Sequence, residues 1–373
     1  MPFFRQGNTV STHNHRIESL DILRFFAFMM VLCYHYLFIA PLQGFYPKSL
    51  YVEGFYFGDF GVDLFFVISG FVISLSSSGR TAFQFFKARF NRIVPTFFVC
   101  SVIVLLFNVS IPVVSFSERL EKFLYSMTFF PRFFGSDYLS AVYWTLNVEV
   151  TFYIWVFAFI LLGAFDKYKS EVCLAWLSIS IVNNGVIHSD FLSALMITKY
   201  CGHFVLGMVL FEIRVGFKPV HVVLGVLGAS QMYFSMSGFE SWVSGKYGPV
   251  MSGGAIIFSI AAILSLVWWV STVERLSVNA RIVQTLGAMS YPLYLVHADI
   301  GFWSHAIFEQ RFFSDFPWLQ ELISYPVMIV LAVILSFVLA FLVVRVSDPI
   351  FYRLLSRLWG VFAKPKDSVV SRA

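Results

Sequence analysis

The chain has 373 residues, of which 58% are hydrophobic, 19% aromatic and only 13% charged, with a formal net charge of +5. Soluble domains average about 45–50% apolar and about 25% charged residues, so a soluble globular protein is excluded, and a disordered chain would be poor in aromatics and rich in charge. What remains is an all-α, polytopic membrane bundle, whose surroundings are the lipid bilayer and not nucleic acid.

A helix crossing a hydrocarbon core of ~30 Å needs about 20 mostly apolar residues. About ten such runs follow one another, near 20–40, 56–77, 94–114, 142–164, 171–188, 193–212, 219–237, 250–273, 285–307 and 322–346. This divides the chain into an N-terminal segment over 1–19, a transmembrane domain over 20–346 and a basic tail over 347–373. The first 18 residues are polar and show no cleavable leader. Gly58, Gly61 and Gly70 in the second run predict close helix packing. The Phe-rich stretch 121–134 is too short and too charged to span, and is expected in the interface. Cys33, Cys100, Cys173 and Cys201 lie in apolar runs without paired spacing, which reads as four small core residues. No internal repeat of the transporter kind is visible.

Placing the N-terminus in the cytoplasm puts eighteen of the 26 basic residues in inside segments and six in outside segments. Arg24 and Lys199 fall within spans. The bias matches the positive-inside rule and predicts that both termini are cytoplasmic.

An ionised side chain near a span centre costs about 2.5–3.5 kcal/mol on the insertion scale, so each such charge needs a partner or a purpose. In the first span Asp21 precedes Arg24 by three residues, the spacing of an intrahelical ion pair. His35 follows Arg24 by eleven, which returns to within about 20° of the same face and lies about 16 Å further along the helix. One stripe thus carries Asp21, Arg24 and His35. Arg89 and Arg92 sit one turn apart in Lys87–Pro95, either as an inside-anchoring flank or as a bidentate grip on a pyrophosphate. The remaining intramembrane polar groups are Asp59 with Asp63, Glu149, Lys199 with His203, His297 and Asp299. A cavity shared by His35, Glu149 and His203 is one arrangement open to them.

Five stretches in order resemble the acyltransferase 3 family of integral membrane O-acyltransferases. They are Leu20-Asp21-x-x-Arg24 with His35, like R-x10-H; Gly61-Val62-Asp63-Leu64-Phe65-Phe66-Val67-Ile68-Ser69-Gly70-Phe71; and Arg89-x-x-Arg92-x-x-Pro95. The fourth is Trp144-Thr145-Leu146-Asn147-Val148-Glu149 with Phe152-Tyr153, and the fifth is Leu286-Gly287-x-x-Ser290-Tyr291-x-Leu293-Tyr294-Leu295-x-His297. The chain departs from the pattern at Val150, where a second acid is common, and at Ala298-Asp299, where a proline is more usual. The resemblance implies acetyl-CoA as co-substrate, with no permanently bound cofactor and no metal. It implies a hydroxyl acceptor on a cell-envelope glycan such as lipopolysaccharide or exopolysaccharide, in the bacterial inner membrane. It also implies direct transfer to that acceptor or handover to a separate protein, since no fused esterase-like domain follows. On this reading Arg24, Arg89 and Arg92 contact the donor. His35 acts as general base or is itself transiently acylated, and Glu149 orients or charge-stabilises its ring. A multi-pass transporter or flippase, and the same fold carrying another acyl group such as succinyl, are the competing readings.

Overall fold

A computed structural model describes residues 17–109, 115–248, 251–273, 279–307 and 324–362. Residues 1–16 of the N-terminal segment, 363–373 of the tail, Arg275 and Arg311 lie outside them. The described residues form helices and no strands. We number the principal helices α1 (Glu18–Tyr34), α2 (Phe60–Ser77), α3 (Ala82–Val109), α4 (Phe116–Ser126), α5 (Trp144–Leu161) and α6 (Lys169–Val182). There follow α7 (Cys201–Val215), α8 (Pro219–Tyr247), α9 (Gly253–Thr272), α10 (Ala280–Ile307), α11 (Tyr325–Leu342) and α12 (Asp348–Phe362).

Among the described residues nine helical segments are long and apolar enough to cross a membrane. The tenth expected span, α10, has 28 residues but is not among the nine. Its Gln284, His297 and Asp299 lower its hydropathy, and it is sheltered by α1, α3 and α11 instead of facing lipid on all sides. Two other boundaries differ from the sequence reading. The third span begins at Ala82, so the basic turns 87–92 lie inside a helix of 28 residues and not on a flank before it. At 1.5 Å per residue that helix is about 42 Å long, longer than the hydrocarbon core, so one end projects beyond it. The expected tail is helical over Asp348–Phe362 and packs on α3.

α1 sits at the centre, against α2 and α10, while α2 packs on α7 and α10 on α11. Close approach explains the glycines of α2 and of the turn before it: a Cβ at Gly70 would strike the Phe204 carbonyl on α7, and one at Gly58 or Gly61 would strike α1 backbone. The same holds for α10, where a Cβ would meet Asp21 at Gly287 and the Tyr36 ring at Gly301. The four cysteines are free; Cys100, Cys173 and Cys201 are buried and Cys33 is half-buried. The expected interfacial stretch is α4 followed by a turn over Pro131–Phe134. Ser115 caps α4 by accepting from the Glu118 backbone N–H at 3.3 Å. Phe116, Leu124, Phe133 and Phe134 are exposed.

Contacts at one end of the bundle tie together the segments that carry most of the basic residues. Ser19 Oγ donates to the Val270 carbonyl at 2.8 Å, Gly79 N–H to Asp166 at 3.2 Å, and Arg345 to Thr285 Oγ1 at 3.4 Å. We refer to this as the basic end of the bundle.

Candidate active site

α1 departs from regular geometry where its histidine stands. The helix turns into a π-helical segment over His35–Ile39, the wider coil that occurs at functional positions in membrane and soluble helices alike. His35 Nδ1 lies 2.9 Å from the Val31 carbonyl and 3.2 Å from Nε2 of His297 on α10. His297 is fully buried, and its Nδ1 lies 2.8 Å from the Tyr294 carbonyl and 3.2 Å from that of Leu293.

Carbonyls only accept, so these contacts assign the tautomers. His297 carries its proton on Nδ1 and offers the Nε2 lone pair. His35 carries its proton on Nδ1, shared between Val31 and His297, and its Nε2 is the basic nitrogen. His35 is half-buried, and no described residue bonds that Nε2. The pair is framed by aromatic rings: Phe28 meets His297 edge-on at 5.4 Å, and Phe302 lies 5.7 Å from His35. Tyr36 Oη donates to the His297 carbonyl at 2.7 Å, holding α1 against α10.

Toward the basic end of α1, Arg24 donates to Asp21 at 3.1 Å, the intrahelical pair that the spacing predicts. Arg24 lies within electrostatic reach of Arg92, Tyr153 and Glu149. Arg89 and Arg92 are one turn apart on α3 but point differently. Arg89 is buried, donates to Ser76 Oγ at 2.6 Å and lies over the rings of Phe85 and Tyr153 at 5.7 and 5.5 Å. Arg92 is exposed. Arg89 thus lies on Tyr153, and Arg24 and Arg92 come within electrostatic reach of the same residue.

Glu149 accepts a short hydrogen bond from Tyr153 Oη and one from Ser69 Oγ at 3.1 Å. The structure groups Glu149 with the arginines, and the ring partner of His35 is His297. His203, the third member of the cavity left open by the sequence, has a partner of its own: its Nε2 lies 2.7 Å from Asp63 Oδ1 on α2. Lys199 is exposed in the turn before α7, its Nζ 5.3 Å from the Tyr200 ring centroid.

His297, Tyr153, Ser69 and Ser76 are the contributors whose parts single-sequence reasoning did not assign. His297 stands out in the sequence as an intramembrane histidine at the end of the fifth family-like stretch; a histidine in an apolar helix demands a partner, and spacing does not name it.

A helical bundle of long apolar spans, with a histidine pair and largely buried arginines between its helices, defines a polytopic membrane protein. The chain belongs to the acyltransferase 3 family: the family described as an acyltransferase domain matches residues 17–345. It is similar to O-acetyltransferase OatA of Staphylococcus aureus strain NCTC 8325, with 24% identity over 327 residues, covering 76% of this chain and 50% of that protein. It is also similar to the exopolysaccharide production protein ExoZ of Rhizobium meliloti strain 1021, with 28% identity over 251 residues, covering 65% of this chain and 76% of ExoZ. The chain thus spans about half the length of OatA. No solved structure matches it.

Proposed function

We propose that this membrane acyltransferase moves an acetyl group from acetyl-CoA, drawn from the cytoplasm at the basic end, to a hydroxyl of a cell-envelope glycan. The observation that carries the reading is the His35–His297 contact, which leaves one unbonded basic nitrogen on a half-buried imidazole. In the proposed step His35 Nε2 takes the proton of the acceptor hydroxyl as its oxygen attacks the thioester carbonyl carbon. The C–S bond breaks, and the departing thiolate takes the proton back from His35. The products are an O-acetyl ester and free CoA, with the histidine restored. His297 Nε2 accepts from His35 Nδ1–H throughout, which favours the imidazolium in transit.

Arg24, Arg89 and Arg92 are proposed to hold the anionic part of the donor, with exposed Arg92 making the outermost contact. Glu149 acts on this reading through the arginines and Tyr153, keeping the cluster ordered when no donor is present. A glycan acceptor is supported by the name of ExoZ, an exopolysaccharide production protein, and transfer of acetyl to oxygen by that of OatA. The bacterial inner membrane is the proposed location.

Mass spectrometry of envelope glycans from cells with and without the protein tests the reading. A mass difference of one acetyl group per modified sugar is expected. A succinyl difference would replace the donor. Unchanged glycans, together with substrate movement into protein-containing liposomes, would replace the transferase by a transporter.

A further inference from the structure

The last helix is built on three stripes. At 100° per residue, Phe351, Leu355 and Trp359 share one arc of α12, and Ile350, Leu354 and Leu358 share the next. Arg353 and Arg357 lie opposite Leu355. The first arc is fastened to α3. Thr96 Oγ1 donates to Asp348 at 2.9 Å, and Phe351 lies 6.4 Å from Phe98. Trp359 stands edge-on to Phe83, Phe86 and Phe90 at 5.7, 6.3 and 5.8 Å, with Lys87 Nζ 5.8 Å from its ring. Its indole N–H donates to Asn91 Oδ1 at 2.8 Å. Asn91 stands between Arg89 and Arg92.

The second arc is open: Ile350, Leu354 and Leu358 are 47%, 50% and 55% exposed. Both arginines are exposed beside it, and no acidic residue follows Asp348 within the helix. α12 also continues, through a π-helical turn over Val343–Ser347, from an apolar span.

We propose that α12 is a strap that docks on anionic phospholipid, with Ile350, Leu354 and Leu358 in the outer acyl region and Arg353 and Arg357 on the headgroups. An apolar stripe flanked by cations, with no carboxylate after Asp348 in the helix, is complementary to such a surface. Because Trp359 is bonded to Asn91, docking also steadies the turn of α3 that carries Arg89 and Arg92. That consequence for the donor rests on the function proposed above; the docking itself does not.

Hydrogen exchange of the full chain, reconstituted in nanodiscs of phosphatidylcholine alone or with phosphatidylglycerol, tests the proposal without any transfer assay. Exchange over 348–362 is expected to slow on the order of tenfold in the anionic discs. The double variant Arg353→Gln/Arg357→Gln is expected to abolish that difference. Within the same experiment, protection of 86–94 follows the lipid in the parent and ceases to follow it in Trp359→Ala. Equal exchange over 348–362 in both lipids would overturn the docking. So would inorganic pyrophosphate in phosphatidylcholine discs giving the same protection, which would make the arginines a free-phosphate site. Loss of coupling in the parent, with docking intact, would overturn the strap alone.

Discussion

At the residue scale the account rests on which nitrogen of His35 is basic. Three carbonyls and one imidazole lone pair decide it, and all come from helix backbones or from a side chain locked by a helix backbone. General acid–base catalysis contributes about 10²–10⁴-fold. His297→Ala removes the group that accepts from His35 and is expected to lower kcat by about 10²-fold with little change in the KM for donor. His297→Gln, whose amide oxygen can accept the same hydrogen bond, is expected to recover part of that loss; equal rates for the two variants would make His297 a packing residue only. Arg92 and Arg89 separate differently. Arg92 is exposed, so Arg92→Ala is expected to raise the donor Kd by about tenfold with an unchanged melting temperature. Arg89 is buried against Ser76 and Tyr153, so Arg89→Ala is expected to lower both affinity and stability in the same preparation. Isothermal titration and thermal denaturation read the two effects separately.

The residue scale also shows what one sequence can carry. Asp21, Arg24 and His35 share a stripe because they belong to one helix, and helical periodicity is written in spacing alone. His297 is 262 positions from His35, and Glu149 is 80 from Ser69. Such pairings depend on which helices touch, and spacing holds no record of that. Orientation was equally hidden: Arg89 and Arg92 read as twins, yet aromatic rings draw one inward and leave the other outside.

At the element scale the site depends on α1 and α10 lying close enough for two imidazoles to meet. Gly287 and Gly301 permit that approach, and Tyr36 completes it by bonding to the His297 carbonyl. Gly301→Val would push against the Tyr36 ring. Overpacking of this kind costs about 1–3 kcal/mol, so a lower melting temperature is expected together with weakened transfer. A variant with unchanged stability would mean that the two helices are held elsewhere. α10 itself was expected among the apolar spans by its length and pattern, but its polar content is tolerated only because α1, α3 and α11 cover it. The extension of α3 back to Ala82 escaped composition as well. Basic turns look like a flank until α12 is seen packed along them.

At the scale of the whole molecule, the helical bundle was readable from composition because the bilayer forbids most alternatives: every backbone group must be bonded internally, and long apolar runs then become helices. The order of the spans followed from the same rule, while their number did not: ten were expected, and nine of the described helical segments are apolar enough to cross. The positive-inside rule predicts that the basic end faces the cytoplasm, so a reporter active only in the cytoplasm is expected to work in the 162–168 loop and to fail when inserted at 247. The opposite pattern would invert the topology and move Arg24, Arg89 and Arg92 away from the side on which the proposed donor is found. The central claim is that His35 performs acyl transfer at the heart of this bundle. Its most direct test is transfer of label from acetyl-CoA to envelope glycan by the purified, reconstituted protein and by its His35→Ala variant. The account predicts labelled glycan from the parent and none above background from a variant that is inserted and equally stable. Full labelling by that variant would contradict it.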